Sequence, residues 1–304
     1  MTNTSSLQLN LPTPITSHHF AGIDFYLKQD QLSHPLLSGN KARKFAWLLE
    51  QDKDAFSTIT SYGSVQSNAL VSLAAICQYK GWQLEFFVSH IPPWLNDVTF
   101  GNYWQAIQLG AKVIATHPYH PKEMMNKKQS LPTNCVIPEG GFWPQAKHGV
   151  KQLAQEILSW AHSQRIYSLT VALPSGTGTT SFFLQQVLAP YAIDVVTTPC
   201  VGNEHTLRKQ WQALDAHGPQ PIVLNRNRAL PFGQLDSEAY QLWQSLHQNT
   251  GVEFDLLYDP FMWQALLQHR EIKKPLLYIH QGGLIGNQSM IKRYQRLFNR
   301  RDNV

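Results

Sequence analysis

The sequence is poor in cysteine, in charge and in long apolar runs, and each shortage excludes a class of protein. Its 304 residues include three cysteines, which lie far apart in the chain: Cys77, Cys135 and Cys200. That spacing is typical of reduced thiols in a core and argues against a disulfide framework or a zinc site. No apolar run approaches the roughly 18 residues that a membrane-spanning helix needs. Residues 1–6 carry neither a basic nor an apolar segment, so we expect no secretion signal and a cytoplasmic location.

Charged residues make up 15% of the chain and hydrophobic residues 43%, a balance that excludes an intrinsically disordered protein. The formal net charge is +5, and the basic residues are scattered apart from residues 41–44 and the stretch 292–301, which is typical of the basic end of a helix. The sequence has no recognised nucleic-acid-binding module and no metal-type histidine spacing. We therefore expect no nucleic-acid partner, no membrane partner and no metal. A small anionic ligand accounts for the positive balance equally well.

Short β-prone runs alternate with helical segments along the chain. Residues 1–20 are polar and are predicted to be a loop, and residues 116–133 are polar and contain prolines. Strands are predicted at residues 22–27, 58–63, 84–88, 111–115, 135–137, 167–173, 192–197, 221–225 and 276–280. Helices are predicted at about residues 42–50, 67–76, 104–109, 149–161, 181–188 and 237–249. This alternation indicates an α/β fold, in which helices cover a parallel sheet.

Three cations occupy four positions in the turn Ser38-Gly39-Asn40-Lys41-Ala42-Arg43-Lys44. Gly39 and Asn40 tolerate positive φ and suit a tight turn, and the apolar run that follows has helical spacing. Lys41 would then stand at a helix start, where a cation opposes the helix dipole unless an anion is bound or the lysine is consumed in an imine. From these residues alone, a solvated helix face is the more common outcome.

Two later segments also join a strand to a helix. Ser175-Gly176-Thr177-Gly178-Thr179-Thr180 follows a strong strand, and its glycines, hydroxyls and helix start suit a phosphate. It matches neither the P-loop nor the dinucleotide spacing, and an ordinary turn has a similar composition. Gln66-Ser67-Asn68 stands at another helix start and suits a carboxylate, although ordinary N-capping would use the same residues.

A phosphate loop, a carboxylate-type helix start and an early lysine together fit one kind of chemistry. A carbonyl cofactor with a phosphate tail, an amino acid substrate and an imine-forming lysine would use all three. Residues 38–44, followed by residues 62–68, resemble the signature of the pyridoxal-phosphate-dependent family of 1-aminocyclopropane-1-carboxylate deaminases and D-cysteine desulfhydrases. The resemblance extends over most of the chain, through residues 138–141, 175–180, 258–260 and 279–283.

The resemblance implies pyridoxal 5'-phosphate as the cofactor and a role for each matching residue. Lys41 forms the imine with the cofactor and moves the substrate α-proton, while Lys44 assists with the phosphate and Arg43 is left on the surface. Asn68 hydrogen-bonds the phenolate oxygen of the cofactor. Ser67 takes part in proton transfer and, with Gln66 and Asn68, holds the substrate carboxylate. The remaining expected cofactor contacts are the phosphate loop and the residue beside the pyridine nitrogen: Ser175, Gly176, Thr177, Gly178, Thr179, Thr180 and Gln281.

Three departures from the family pattern affect the expected chemistry. The family has a tyrosine shortly after its Asp-Pro pair, but here the position after Asp259-Pro260 is Met262, which we assign to the substrate site, with Tyr258 as the alternative source of a tyrosine. The change argues against cleavage of a cyclopropane ring. Gln281 stands where the desulfhydrases have threonine, and it can hydrogen-bond the pyridine nitrogen without protonating it, which fits β-elimination. Glu139 stands where the family has small or polar residues, which implies a reshaped substrate pocket.

The resemblance implies a fold of the tryptophan-synthase-β type (fold type II), with two open, twisted three-layer α/β/α domains and mostly parallel sheets. We expect residues 1–50 with 156–304 to form the large cofactor-binding domain and residues 51–155 the smaller one. The active site would lie between them, in a homodimer. The expected activity is α,β-elimination from a small amino acid, of the D-cysteine desulfhydrase kind, giving ammonia and a 2-oxo acid. The alternatives are 1-aminocyclopropane-1-carboxylate deamination and a cofactor-binding paralogue with little turnover.

Overall fold

A computed structural model describes residues 7–37, 39–128, 132–228, 230–272 and 274–301, with the side chains of Arg300 and Arg301 excepted. Residues 1–6 and Ser38, on which two of the expectations above rest, lie outside the described residues. The strands are β1 Ile15–Phe20, β2 Ile23–Lys28, β3 Thr58–Tyr62, β4 Gln83–Val88, β5 Lys112–Ala115, β6 Asn134–Ile137, β7 Leu169–Ser175, β8 Ile193–Pro199, β9 Ile222–Val223 and β10 Leu276–Ile279. The α-helices are α1 Asn40–Lys44, α2 Ala46–Glu50, α3 Asn68–Lys80, α4 Gly101–Gln108, α5 Pro121–Asn126, α6 Ala146–Ser163, α7 Thr179–Leu188, α8 Glu204–Leu214, α9 Ser237–Thr250, α10 Asp259–Gln268 and α11 Leu284–Arg301.

The strands form two sheets, one of six strands in the order β1-β2-β10-β7-β8-β9 and one of four strands in the order β5-β4-β3-β6. The β1–β2 pair is antiparallel, and the other pairings of the described strands are parallel. Successive strand residues face opposite sides of the sheet. Accordingly, Val171 and Leu173 of β7 pack with α7, whereas Ala172 between them packs with α10. Helices therefore cover both faces, and the predicted α/β class with mostly parallel sheets is confirmed.

Two local predictions were wrong, and one short helix lies where no element was predicted. Residues 15–20 form an edge strand instead of a loop, because the turn at Ala21-Gly22 folds them back onto β2 and their outward side chains can stay polar. Within 116–133, residues 121–126 form the short helix α5. The helix expected at 42–50 is broken at Phe45 into α1 and α2.

The four-stranded sheet is built from residues 58–137, and the six-stranded sheet from residues 15–28 and 169–279. The helix α6 is continuous through residue 155, so a boundary at that position would cut it. The division of the chain into two domains stays a prediction. The three cysteines are unpaired, as expected. Among the described residues, no helix is long and apolar enough to cross a membrane.

Arg43 was expected on the surface and is instead fully buried. Its guanidinium donates to both carboxylate oxygens of Asp30 at 2.9 Å and to the two oxygens of Glu156, on α6, at 2.7 and 2.9 Å. Lys28 adds a second cation, with Nζ at 2.6 Å from Glu156. Burial opposes a charge on Arg43, but the two carboxylates more than offset it and raise the pKa of the guanidinium. This four-residue charge network fixes α1, and with it the neighbouring Lys41, against β2 and α6.

Candidate active site

Helix α1 begins beside the segment that follows β10 of the large sheet. Gly39 precedes it with a φ of +33°, and a Cβ at that position would lie 2.5 Å from the carbonyl of Gln281, so only glycine fits. The backbone N–H of Asn40 donates to the same carbonyl at 3.0 Å. The turn of Lys41 is therefore held against the segment that follows β10, at the carboxyl edge of the parallel strands, where α/β proteins bind ligands.

Lys41 and Lys44 point toward one backbone oxygen. The Nζ atoms lie 3.4 and 3.1 Å from the carbonyl of Gly140, which follows β6 of the smaller sheet. Burial lowers the pKa of Lys41 to about 8, against the opposing effect of the Asp255 and Glu139 carboxylates. Burial and the charge of Lys41 hold the pKa of Lys44 well below its ordinary value. Lys41 thus has an amine that is about half neutral near pH 8, as a nucleophile toward an aldehyde needs.

The predicted phosphate loop lies beside these two amines. The Nζ of Lys44 donates to Thr177 Oγ1 at 3.2 Å, and Thr177 Oγ1 lies 2.9 Å from Thr179 Oγ1. Thr179 opens α7, so the first backbone N–H groups of that helix have no helical acceptor. The hydroxyl of Thr180 is buried and has no hydrogen-bond partner within the described part of the chain. These groups fit a phosphate.

Ser175 differs from its neighbours in the loop. Its hydroxyl is buried, accepts from Thr197 at 2.7 Å and lies 2.9 Å from the hydroxyl of Ser181. The side chain therefore joins β7 to β8 and α7. Gly176 faces the ring of Tyr258, which a Cβ would meet at 3.5 Å. Among the hydroxyls of residues 175–180, those of Thr177 and Thr179 lie nearest to the lysines.

Gly178 is the tightest point of the phosphate loop. It has a φ of +67°, and a Cβ there would lie 2.4 Å from Leu207 and 2.5 Å from Trp211 Nε1. We expect Gly178→Ala to displace the loop and to weaken cofactor binding at least about tenfold, as measured by titrating the cofactor-free protein. Gly251→Ala is the matched control, because Gly251 has a φ of +70° with nothing within 4 Å of its Cβ position. An equal loss of affinity in both variants would contradict the prediction.

Hydrogen bonds to two other segments of the chain orient the side chain of Asn68. Its Oδ1 accepts from Nδ2 of Asn102 on α4 at 2.8 Å, and its own amide donates to the carboxylate of Asp255. Asp255 also accepts from the backbone N–H groups of Leu257 and Tyr258, at 2.7 and 2.8 Å. Burial first, and then the neighbouring Asp259, raise the pKa of Asp255. One N–H of the Asn68 amide remains, which is what hydrogen bonding to a phenolate oxygen requires.

Ser67 and Gln66 are less clearly placed for a substrate. The Ser67 hydroxyl caps α3 by accepting from the backbone N–H of Ala69 at 3.1 Å, as ordinary N-capping would require. Among the described residues, the Ser67 O–H has no acceptor, so it can still donate a hydrogen bond to a ligand. The Gln66 side chain lies toward Ser289 on α11, with 3.5 Å between Oε1 and Oγ. Its backbone carbonyl accepts from Asn102 at 2.7 Å.

Gln281 has both ends of its amide engaged. Nε2 donates to the carbonyl of Pro174, just before the phosphate loop, at 2.7 Å, and Oε1 accepts from Asn40 Nδ2 at 3.0 Å. The residue thereby links the turn of Lys41 to the phosphate loop. One N–H of its amide remains for a ring nitrogen, so the expected pyridine contact stays a prediction.

The assignment of Met262 to the substrate site was wrong. Its side chain is fully buried on the sheet-facing side of α10, in the core that also contains Phe25 and Trp263. The tyrosine of this segment that reaches the site is Tyr258, one turn earlier, which lies against Gly176. Burial, followed by the carboxylates of Asp255 and Glu139, raises the pKa of its phenol.

Sequence reasoning missed Asp255 and Asn102 as site residues. Asp255 lies in the apolar stretch Phe254 to Leu257, and a lone acid in such a stretch is a signal of a buried, partnered carboxylate. Asn102 gave no signal, because its role depends on a contact with a helix start more than thirty residues away.

Comparison with known proteins agrees with this geometry. The family model described as pyridoxal-phosphate dependent enzyme matches residues 7–202, more than half of the chain. A Thermotoga maritima protein named as a candidate 1-aminocyclopropane-1-carboxylate deaminase is 24% identical over 289 residues, covering 87% of this chain and 90% of the relative. The D-cysteine desulfhydrase of Yersinia enterocolitica is 25% identical over 292 residues, covering 87% and 88%. A crystal structure of a deaminase homologue of the same kind aligns with a TM-score of 0.75 at 22% identity, covering 92% of each chain.

The residues brought together here suit the cofactor of that family. The free helix start, Lys44 and the threonine hydroxyls would hold the phosphate, Lys41 would bind the aldehyde carbon, and Asn68 would face the phenolate oxygen. The fold-type-II architecture predicted from the resemblance is confirmed as well. With the family model covering residues 7–202, this chain belongs to the pyridoxal-phosphate-dependent enzymes, a family of lyases and deaminases.

Proposed function

We propose that this protein catalyses α,β-elimination from a small amino acid, which expels the β-substituent and, after hydrolysis by one water, releases ammonia and a 2-oxo acid. The observation that carries the proposal is the convergence of Lys41 and Lys44 on the Gly140 carbonyl, beside the hydroxyls of Thr177 and Thr179. The substrate class follows from relatives named as D-cysteine desulfhydrases and as a deaminase. D-Cysteine is the first substrate to test.

Each residue has a distinct part in this proposal. The bound cofactor supplies the electron-withdrawing ring that makes the substrate α-proton acidic. The Lys41 amine removes that proton, because it lies in the cleft and its pKa is lowered to about 8. Lys44 stabilises the phosphate, and Ser67 with the helix start of α3 binds the substrate carboxylate.

Deamination of 1-aminocyclopropane-1-carboxylate is the second candidate, and the position of Tyr258 favours it. By its sequence motif, Met262 occupies the position of the family's ring-opening tyrosine, and the loss of that tyrosine argues against this reaction. A tyrosine beside Gly176 removes that objection. The third alternative, a paralogue with little turnover, was also based on the altered segment around Met262. The position of Tyr258 weakens that alternative as well.

The test uses the purified protein loaded with pyridoxal 5'-phosphate. We expect a visible absorbance band and the release of ammonia and a 2-oxo acid from at least one compound among D-cysteine, D-serine, their L-enantiomers, β-chloroalanine and 1-aminocyclopropane-1-carboxylate. A protein that takes up no cofactor would refute the proposal. A protein that binds the cofactor but turns over none of these compounds would favour the paralogue.

Tyr258→Phe separates the two reactions, since it removes the hydroxyl and keeps the ring, whose centroid lies 5.2 Å from that of Phe232 in a tilted arrangement. If Tyr258 acts in ring opening, we expect turnover of 1-aminocyclopropane-1-carboxylate to fall at least about 100-fold, with D-cysteine turnover changed less than about threefold. Steady-state kcat values for both compounds measure the difference. Equal losses on the two substrates would assign Tyr258 a structural role instead.

The oligomeric state and the cellular location stay proposals. The family resemblance favours a homodimer, and the three unpaired cysteines favour a cytoplasmic location. Light scattering of the holoenzyme in solution tests the first, since a dimer has twice the 34.6 kDa mass of the chain.

A further inference from the structure

A carboxylate stands in the wall of the cleft next to the reacting lysine. Glu139 opens the turn after β6 and immediately precedes Gly140, whose carbonyl accepts from Lys41 and Lys44. A Cβ at Gly63 would lie 3.3 Å from Glu139 Oε1, and Gly63 leads into the loop that carries Ser67. The carboxylate therefore lies beside the loop expected to hold the substrate carboxylate, and its residue directly precedes the carbonyl that Lys41 contacts.

Backbone hydrogen bonds fix the turn that carries Glu139. The backbone N–H groups of Gly141 and Phe142 donate to the carbonyls of Pro138 and Glu139 at 3.0 and 3.2 Å. The side chain is exposed to the cleft.

Glu139 has no ion-pair partner within 4 Å among the described residues. The charged groups that act on it are Lys41 and His120, and the phenol of Tyr258 faces the same space. Burial raises the pKa of Glu139, which His120 and Lys41 partly counteract. An unpaired carboxylate at a ligand cleft attracts a cationic ligand.

We propose that Glu139 is a specificity-determining residue, which selects amino acids that carry a positively charged group on the β-carbon. The inference rests on the proposed elimination reaction and names its substrate class. A β-ammonium group would pair with Glu139 while the α-carboxylate binds at the helix start of α3. Charge complementarity across such a cleft discriminates between ligands of the same shape.

The simplest substrate of this class is 2,3-diaminopropionate. Its elimination breaks the Cβ–N bond, so that the β-nitrogen leaves as ammonia with its electron pair and the α-proton passes to Lys41. Hydrolysis of the resulting enamine consumes one water and releases the second ammonia. The sum is one pyruvate and two ammonia molecules from one 2,3-diaminopropionate and one water, with no oxidant or reductant.

The experiment compares 2,3-diaminopropionate with 2-aminobutyrate, which has a methyl group in place of the β-ammonium. Both enantiomers of each compound are titrated into the holoenzyme, and the shift of its visible band gives the dissociation constant. We expect the wild type to bind one enantiomer of 2,3-diaminopropionate at least about tenfold more tightly than the matching 2-aminobutyrate, and Glu139→Gln to abolish this preference. Glu123→Gln, an exposed acid on α5, is the control and should leave it unchanged.

A second measurement separates recognition from a general effect on turnover. In Glu139→Gln, kcat/KM for 2,3-diaminopropionate should fall at least about tenfold, while kcat/KM for neutral β-chloroalanine stays within about threefold. Equal losses on both substrates, or no preference for the cationic ligand in the wild type, would overturn the inference. Those outcomes leave the elimination proposal standing if β-chloroalanine is turned over. A wild-type protein that binds no cofactor and turns over no amino acid would instead refute the elimination proposal itself.

Discussion

Lys41→Ala is expected to remove the visible absorbance band of the holoenzyme and to lower turnover of every substrate at least about 1000-fold. The reason is that the side chain supplies both the covalent attachment of the cofactor and the base for the α-proton, and no other amine can replace both. Absorbance spectra and single-turnover assays of the variant measure the two losses. Borohydride reduction of the wild type, followed by peptide mass analysis, should place the reduced adduct on Lys41.

Lys44→Ala is the informative control, because both amines lie within 3.4 Å of the Gly140 carbonyl. We expect this variant to keep the band and to need at least about tenfold more cofactor for saturation, since Lys44 contacts the phosphate loop through Thr177. If Lys44→Ala lost the band and Lys41→Ala kept it, the roles of the two lysines would be reversed.

Arg43→Met is expected to lower the free energy of unfolding by about 3–5 kcal/mol. It removes the bidentate partner of Asp30, which is fully buried, and the Nζ of Lys28, 3.9 Å away, compensates the buried charge less well. Urea unfolding of the cofactor-free protein measures the loss. The loss should also reduce cofactor affinity, because α1 carries Lys41 and Lys44.

Arg208→Met provides the comparison for a surface ion pair. Arg208 is 43% exposed and pairs with Glu204 one helical turn away, so we expect a cost below about 1 kcal/mol. The double variant Asp30→Asn with Arg43→Met should lose less than the sum of the two single variants, because both charges are then removed. Similar midpoints for Arg43→Met and Arg208→Met would show that the buried network contributes no more than a surface pair.

Features that depend on neighbouring residues were predictable from the sequence. The strand, loop and helix around residues 175–180 were predicted because a buried strand, small residues and a helix start follow one another directly, and the α/β class followed from the alternation of such segments. The edge strand β1 was missed because its exposed side chains, Ser17 and His19, are polar and resemble those of a loop.

Features that depend on distant contacts were not predictable. Arg43 was assigned to the surface because a cluster of cations on a helix usually faces solvent. Its partners, Asp30 and Glu156, lie on two other elements, so the sequence around Arg43 gives no sign of them. The segment around Asp259-Pro260 was aligned by its motif, which placed Met262 in the site. In the structure, Met262 is buried in the core of the large sheet and does not line the site. Tyr258 lies at the phosphate loop instead.

The position of β10 has a consequence for how the chain is completed during synthesis. This strand, the last of the described strands, is inserted between β2 and β7 in the middle of the large sheet, and the carbonyl of Gln281 just after it anchors the turn of Lys41. A growing chain in which residue 281 has not yet left the ribosome lacks a central strand and the support of the reactive lysine. Because long-range parallel pairing forms late and slowly, we expect cofactor capture only after residues 276–281 have been translated and have joined the sheet.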